Sequence, residues 1–146
     1  MSHIIINGRP VYLKREGKGE PVFLLHAAGS SGIQWRMISE ILKERYLLYI
    51  PDLYGEGKTP ALEDWSSLLD EETNLIRHLI DSTGGSVHLV GHSYGGVIAM
   101  RLALSDQHRI ASLTLIEPVV FNLLQNVEPT GEKKPYMKLR IHAQSL

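Results

Sequence analysis

Short apolar runs alternate along this chain with longer segments whose apolar residues recur every three or four positions. The first two segments, HIIIN and VYLKRE, alternate apolar and polar residues. They read as antiparallel strands joined by a tight turn at Asn7-Gly8. After the turn GKGEP comes VFLLH, a continuous apolar run of the kind that makes a strand buried on both faces. Ser30 or Ser31 can cap a following helix in which Trp35, Ile38 and Leu42 share one face. YLLYIPDLY is the next strand, stopped by Pro51, and a loop with Gly55, Gly57 and Pro60 leads to a helix starting near Asp64. Leu68, Leu69, Ile76, Leu79 and Ile80 form its apolar stripe, and Gly84-Gly85 ends it. VHLVGH then reads as a strand, YGGVIAMRLALS as a helix and ASLTLIEP as a strand. The pattern predicts an α/β fold: a mainly parallel sheet with helices on both faces.

The regularity stops near the C-terminus. From Thr130 onward there are four Lys/Arg against one Glu, and Tyr136, Leu139 and Ile141 keep no clean period. The chain therefore divides into a core over 1–128 and a basic C-terminal tail over 129–146. The tail reads as a surface helix, a loose segment or the start of a further structural element; a basic binding tail is the alternative.

Composition narrows the chemistry. The 146 residues suffice for one domain, and none is cysteine, which removes disulfides, thiolate-held metal and a thiol nucleophile. A formal net charge of −1 gives no basic field for nucleic acid. MSHIIINGRP has a three-residue apolar run, against roughly 7–15 in a secretory signal. No stretch approaches the ~20 apolar residues of a membrane span. The expectation is a soluble cytoplasmic protein without nucleic-acid or membrane partners.

The candidate chemistry lies in Gly91-His92-Ser93-Tyr94-Gly95, which fits G-x-S-x-G between a strand and a helix. A strand turning directly into a helix forces the central residue into a strained conformation. The residues two before and two after then approach closely, so they must be small. The result is a hydroxyl clear of the sheet edge, beside the positive N-terminus of a helix that favours a developing oxyanion. Two competing motifs fail. Gly57-Lys58-Thr59 is not a phosphate-binding loop, because Asp52 stands where its first glycine is needed and Pro60 follows. GHSYGG is not a dinucleotide fingerprint, because Ser93 occupies the second glycine position.

With these residues in view, the sequence resembles the α/β-hydrolase family. GHSYGG resembles its nucleophile elbow, LLHAAGSSG its strand-end loop, PDLYGEGKTP its D-x-x-G-x-G-x-[ST] loop and LTLIEPV its sixth strand. The resemblance implies Ser93 as nucleophile, the backbone N–H groups of Ala28 and Tyr94 as oxyanion donors, and a structural role for His26 in holding the loop. Ala27 stands where the family commonly has glycine. The resemblance also implies strand order 1-2-4-3-5-6, no metal and no organic cofactor, and a small ester or similar carbonyl substrate. The haloalkane branch uses an aspartate at the elbow, which this chain lacks.

A serine needs a base to take its proton. In this fold the order is Ser, then Asp or Glu, then His, and the resemblance implies an acid after a seventh strand and a histidine after an eighth. Past the elbow, Glu117 is the candidate acid, with a strand-end role as its alternative; His142, in the basic tail, is the one histidine that follows it. The expectation is thus a serine hydrolase truncated after its sixth strand, weakly active or inactive as this chain. Its sixth strand would be open to self-association. A non-catalytic homologue that binds a small molecule, and a non-functional truncated gene product, are the alternatives.

Overall fold

A computed structural model describes residues 2–119. The tail over 129–146, with His142, lies outside them. Six strands form one sheet: β1 (Ser2–Ile6), β2 (Arg9–Gly17), β3 (Glu20–Leu25), β4 (Tyr46–Pro51), β5 (Val87–His92) and β6 (Ile110–Ile116). Their order is β1-β2-β4-β3-β5-β6, the order expected from the sequence. β1 and β2 make a hairpin through Asn7 and Gly8, which both take positive φ (50° and 77°), the backbone that a two-residue turn of this hand requires. β2 runs antiparallel to β4; β3 is parallel to both β4 and β5, and β5 to β6.

Alternation along β3 divides the core between the two faces of the sheet. Phe23 and Leu25 join one cluster, with Leu75, Ile76 and Leu79 of α2 (Leu68–Asp81) and Ile98 of α3 (Tyr94–Ser105). Val22 and Leu24 join the other, with Leu48 and Ile50 of β4 and Trp35, in a 3-10 turn (Gly32–Trp35) that leads into α1 (Arg36–Leu42). Each fully buried Leu or Ile contributes roughly 1.5–3 kcal/mol. Phe23 and Tyr49, paired across β3 and β4, stack with ring centroids 4.7 Å apart.

Two local expectations shift. Ser31 caps the 3-10 turn, its side chain accepting from the Ile33 N–H, but Ile38 faces outward. The buried residue of α1 is Ser39, whose hydroxyl donates to the Arg36 carbonyl and so leaves no bare polar atom against the sheet. The second helix begins at Leu68, after Asp64 has spent its carboxylate on the Ser66 N–H in a local turn.

Candidate active site

β5 ends at His92 and α3 begins at Tyr94, so Ser93 alone makes the corner. Its φ of 51° and ψ of −114° lie where side chains are seldom tolerated. The corner is held from two sides: the Ser93 N–H donates to the Ile116 carbonyl of β6 at 3.0 Å, and the Gly96 N–H donates to the Ser93 carbonyl at 3.0 Å. A Cβ on Gly91 would meet the Gly95 carbonyl oxygen at 2.5 Å, and one on Gly95 would meet the Leu25 carbonyl oxygen at 2.3 Å. The two outer glycines of the motif thus let the first turn of α3 lie on the end of β5 and against the end of β3. Ser93 is half-buried.

The loop after β3 is built around His26, which is fully buried. Its Nε2 accepts from the Leu53 N–H at 3.0 Å, so the ring proton sits on Nδ1, which donates to the Ala27 carbonyl at 2.8 Å. Both nitrogens are therefore engaged, and His26 is a brace between two loops. Ala27 fits where glycine is common in the resembling loop because positive φ falls instead on Gly29 (72°). The Ala27 N–H donates to Gln34 Oε1 and the Gly29 N–H to Glu56 Oε1. Asp52, also buried, accepts from the Gly32 and Lys58 N–H groups and ties the two loops together again.

Ala28 and Tyr94 line one cavity of about 190 Å³, with Leu53, Tyr54, Trp65, Leu68, Glu56 and Glu72. Two larger cavities, about 530 and 440 Å³, open beside Arg9 and beside Lys14, and no residue of the elbow lines either. Glu72 was not among the residues read as functional from the sequence. It is 1 % exposed, on α2, and its Oε2 has no hydrogen-bond partner. Burial pushes its carboxyl up to about 7, against the opposing hydrogen bonds of the Tyr94 hydroxyl and the Tyr54 N–H. Burial, with Glu72 beside it, pushes the Tyr94 hydroxyl up as well. The signal was present in the sequence: Glu72 falls four residues after Leu68 and four before Ile76, on the apolar stripe itself.

Glu117 follows β6 directly, one residue past the carbonyl that holds Ser93, with φ of 42° and an exposed side chain. Among the described residues, no hydrogen bond joins a histidine to the Ser93 hydroxyl. His26 is engaged, His88 contacts Ser112 and Glu20, and His3 contacts the Lys58 carbonyl. No cluster of three His, Asp or Glu suited to a metal ion occurs among the described residues, and no helix there is long and apolar enough to cross a membrane.

Comparison with known proteins places this geometry among relatives. A profile described as the alpha/beta hydrolase family matches residues 22–144. Lipase LipV of Mycobacterium tuberculosis is 33% identical over 113 residues, covering 75% of this chain and 42% of that protein. The pimeloyl-[acyl-carrier protein] methyl ester esterase of Legionella pneumophila (strain Paris) is 33% identical over 103 residues, covering 70% and 40%. Among solved structures, an alpha/beta hydrolase fold protein from Burkholderia ambifaria superposes with a TM-score of 0.74 at 26% identity, over 81% of this chain and 44% of that one. A thioesterase domain from the curacin biosynthetic pathway gives 0.75 at 25% identity, over 80% and 45%. The chain spans less than half the length of each of these proteins.

Proposed function

Since this chain belongs to the alpha/beta hydrolase family, we propose that Ser93 is the nucleophile of a hydrolase acting on a small ester or a similar carbonyl compound. The observation that carries the reading is the backbone of Ser93, held at φ 51° and ψ −114° on the corner between β5 and α3. Strain of this kind, on the order of 1–3 kcal/mol, persists where the surroundings over-determine it, and it concentrates at reacting groups.

The chemistry follows from the parts. Ser93 Oγ attacks the carbonyl carbon and its proton passes to a base. The carbonyl oxygen takes the negative charge, and the Ala28 and Tyr94 N–H groups, the latter at the N-terminus of α3, stabilise it. The alcohol leaves with a proton, giving an acyl-serine. Water then attacks that ester, the acid departs and Ser93 regains its proton. Glu117 is the candidate for orienting a base, and His142, outside the described residues, is the candidate base. Lipases and esterases among the relatives support hydrolysis of an ester.

The test reads the first half-reaction. A fluorophosphonate probe should mark Ser93 slowly but ahead of every other serine, and Ser93→Ala should abolish the mark. If no base reaches Ser93, p-nitrophenyl acetate turnover stays within roughly 10³–10⁴-fold of the water rate; turnover beyond that, lost on His142→Ala, would make His142 the base. Labelling scattered over surface serines would overturn the nucleophile assignment. The reading from another class is a pocket that binds a small molecule without turning it over. A chain that binds a ligand yet leaves Ser93 unlabelled would select it.

A further inference from the structure

The cavity beside the elbow has a charge that its own walls do not balance. Two of its lining residues are carboxylic acids, Glu56 and Glu72, and among the described residues no Lys, Arg or His lines it. Glu56 acts on Glu72 as a like charge. Glu56 has a partner in the Gly29 N–H, whereas Glu72 is buried with Oε2 unpaired. A buried, half-satisfied carboxyl is costly and calls for an explanation in terms of what it meets. The remaining large side chains of the lining include three aromatic rings, Tyr54, Trp65 and Tyr94. Aromatic rings grouped with carboxylates attract one kind of ligand above others, a positively charged group with a weak hydration shell. Two nearby cations among the described residues already have carboxylate partners. Arg9 of β2 pairs with Glu71, and Arg101 of α3 pairs with Asp70.

We infer that this cavity binds a small organic ammonium group, between the Glu72 carboxyl and the rings of Tyr54, Trp65 and Tyr94. Ala28 and Tyr94 share the cavity with it, so the substrates preferred by Ser93 carry an amine or quaternary ammonium in the part that docks beside the elbow. That last step rests on the reading of Ser93 as nucleophile; the binding itself does not. The alternative chemistry at the same place is a protonated Glu72 donating to a neutral carbonyl or hydroxyl. The two are separated by the direction of pH dependence. The groups that face the Glu72 carboxyl are the Tyr94 hydroxyl from α3, and Tyr54 and Glu56 from the loop before α2. Arg101 reaches it only through Tyr94, and Arg9 only through Tyr54. Ionisation of Glu72 near 7 is therefore the change an ammonium ligand would sense.

The test titrates the chain with tetramethylammonium chloride and with tert-butanol at constant ionic strength, following heat and the fluorescence of Trp65, which is 55% exposed. Tetramethylammonium should bind more tightly than tert-butanol, and its affinity should rise from pH 6 to pH 8. Glu72→Gln should weaken it about tenfold at pH 8 and flatten the pH dependence. Trp65→Ala, at an exposed position, should weaken it too, and it keeps the test open if Glu72→Gln fails to fold. Ser93→Ala should bind as the parent does, so a failed serine label and a failed ammonium site are read separately. Equal affinity for the two probes, affinity that rises as pH falls, or a Trp65→Ala chain that binds undiminished would each overturn the proposal.

Discussion

At the scale of single residues, the backbone of Ser93 sets stability against the chemistry proposed for it. Its conformation is one that glycine adopts without a steric cost. Replacing it with glycine should release about 1–3 kcal/mol of backbone strain. Against that gain stands about 0.4–1 kcal/mol, because glycine loosens the unfolded chain. Ser93→Gly is therefore expected to raise the unfolding free energy by about 1 kcal/mol in urea titration while removing the fluorophosphonate label. A Ser93→Gly chain less stable than the parent would mean that the side chain contributes more than the strain costs. His26 illustrates the opposite case. Its two ring nitrogens are used up in bracing the loops after β3 and β4.

At the scale of elements, the sheet is asymmetric. β3 sits between β4 and β5, whereas β6 pairs, among the described residues, with β5 alone. The side chains of Ala111, Ser112 and Ile116 on β6 are exposed. Among the described residues the outer edge of β6 meets no strand, and such an edge is a template for another strand. We expect association that grows with concentration, visible as a rising mean mass in sedimentation velocity. A lysine at Ile116 should shift it toward the single chain, because a charge on an edge strand opposes pairing. A single sedimenting species of monomer mass across the range would show that this edge is covered. The elbow also belongs to this scale: α3 lies against β3 and β5 because Gly91 and Gly95 present no side chain where backbone approaches.

At the scale of the whole molecule, Glu72 should set part of the pH dependence of folding. Its ordinary value is 4.5, and the folded chain raises it to about 7. Between those values the folded state holds a proton that the unfolded state has released. Stability from this group is therefore full below about 4.5, falls as pH rises, and is lost above about 7. A shift of that size corresponds to on the order of 3 kcal/mol. Glu72→Gln should leave the chain more stable than the parent at pH 8, with the difference shrinking toward pH 5, in denaturant titrations at the two values. A difference that grows toward pH 5 would show that the carboxylate is stabilised in the fold, not strained by it.

Much of this protein follows from local order along the chain. The strands and helices were legible because a buried face imposes a period of two or about 3.6 on apolar residues. Asn7-Gly8 and Gly91-His92-Ser93-Tyr94-Gly95 were legible because unusual backbone angles and close approaches admit few residue types. The alpha/beta hydrolase resemblance, and with it the strand order, was carried by the same short motifs. Tertiary structure alone decided the rest. The outward turn of Ile38 and the burial of Ser39 depend on how α1 meets the sheet, which a stripe of three apolar residues does not specify. Asp64 lies before α2 because its carboxylate is taken by Ser66 in a local turn. Glu72 meets Tyr94, 22 positions away along the chain, because α2 and α3 pack on the same side of the sheet. A carboxyl has no fixed acidity in a sequence. Its charge is decided by which groups surround it and how much water they exclude, and these come together only on folding.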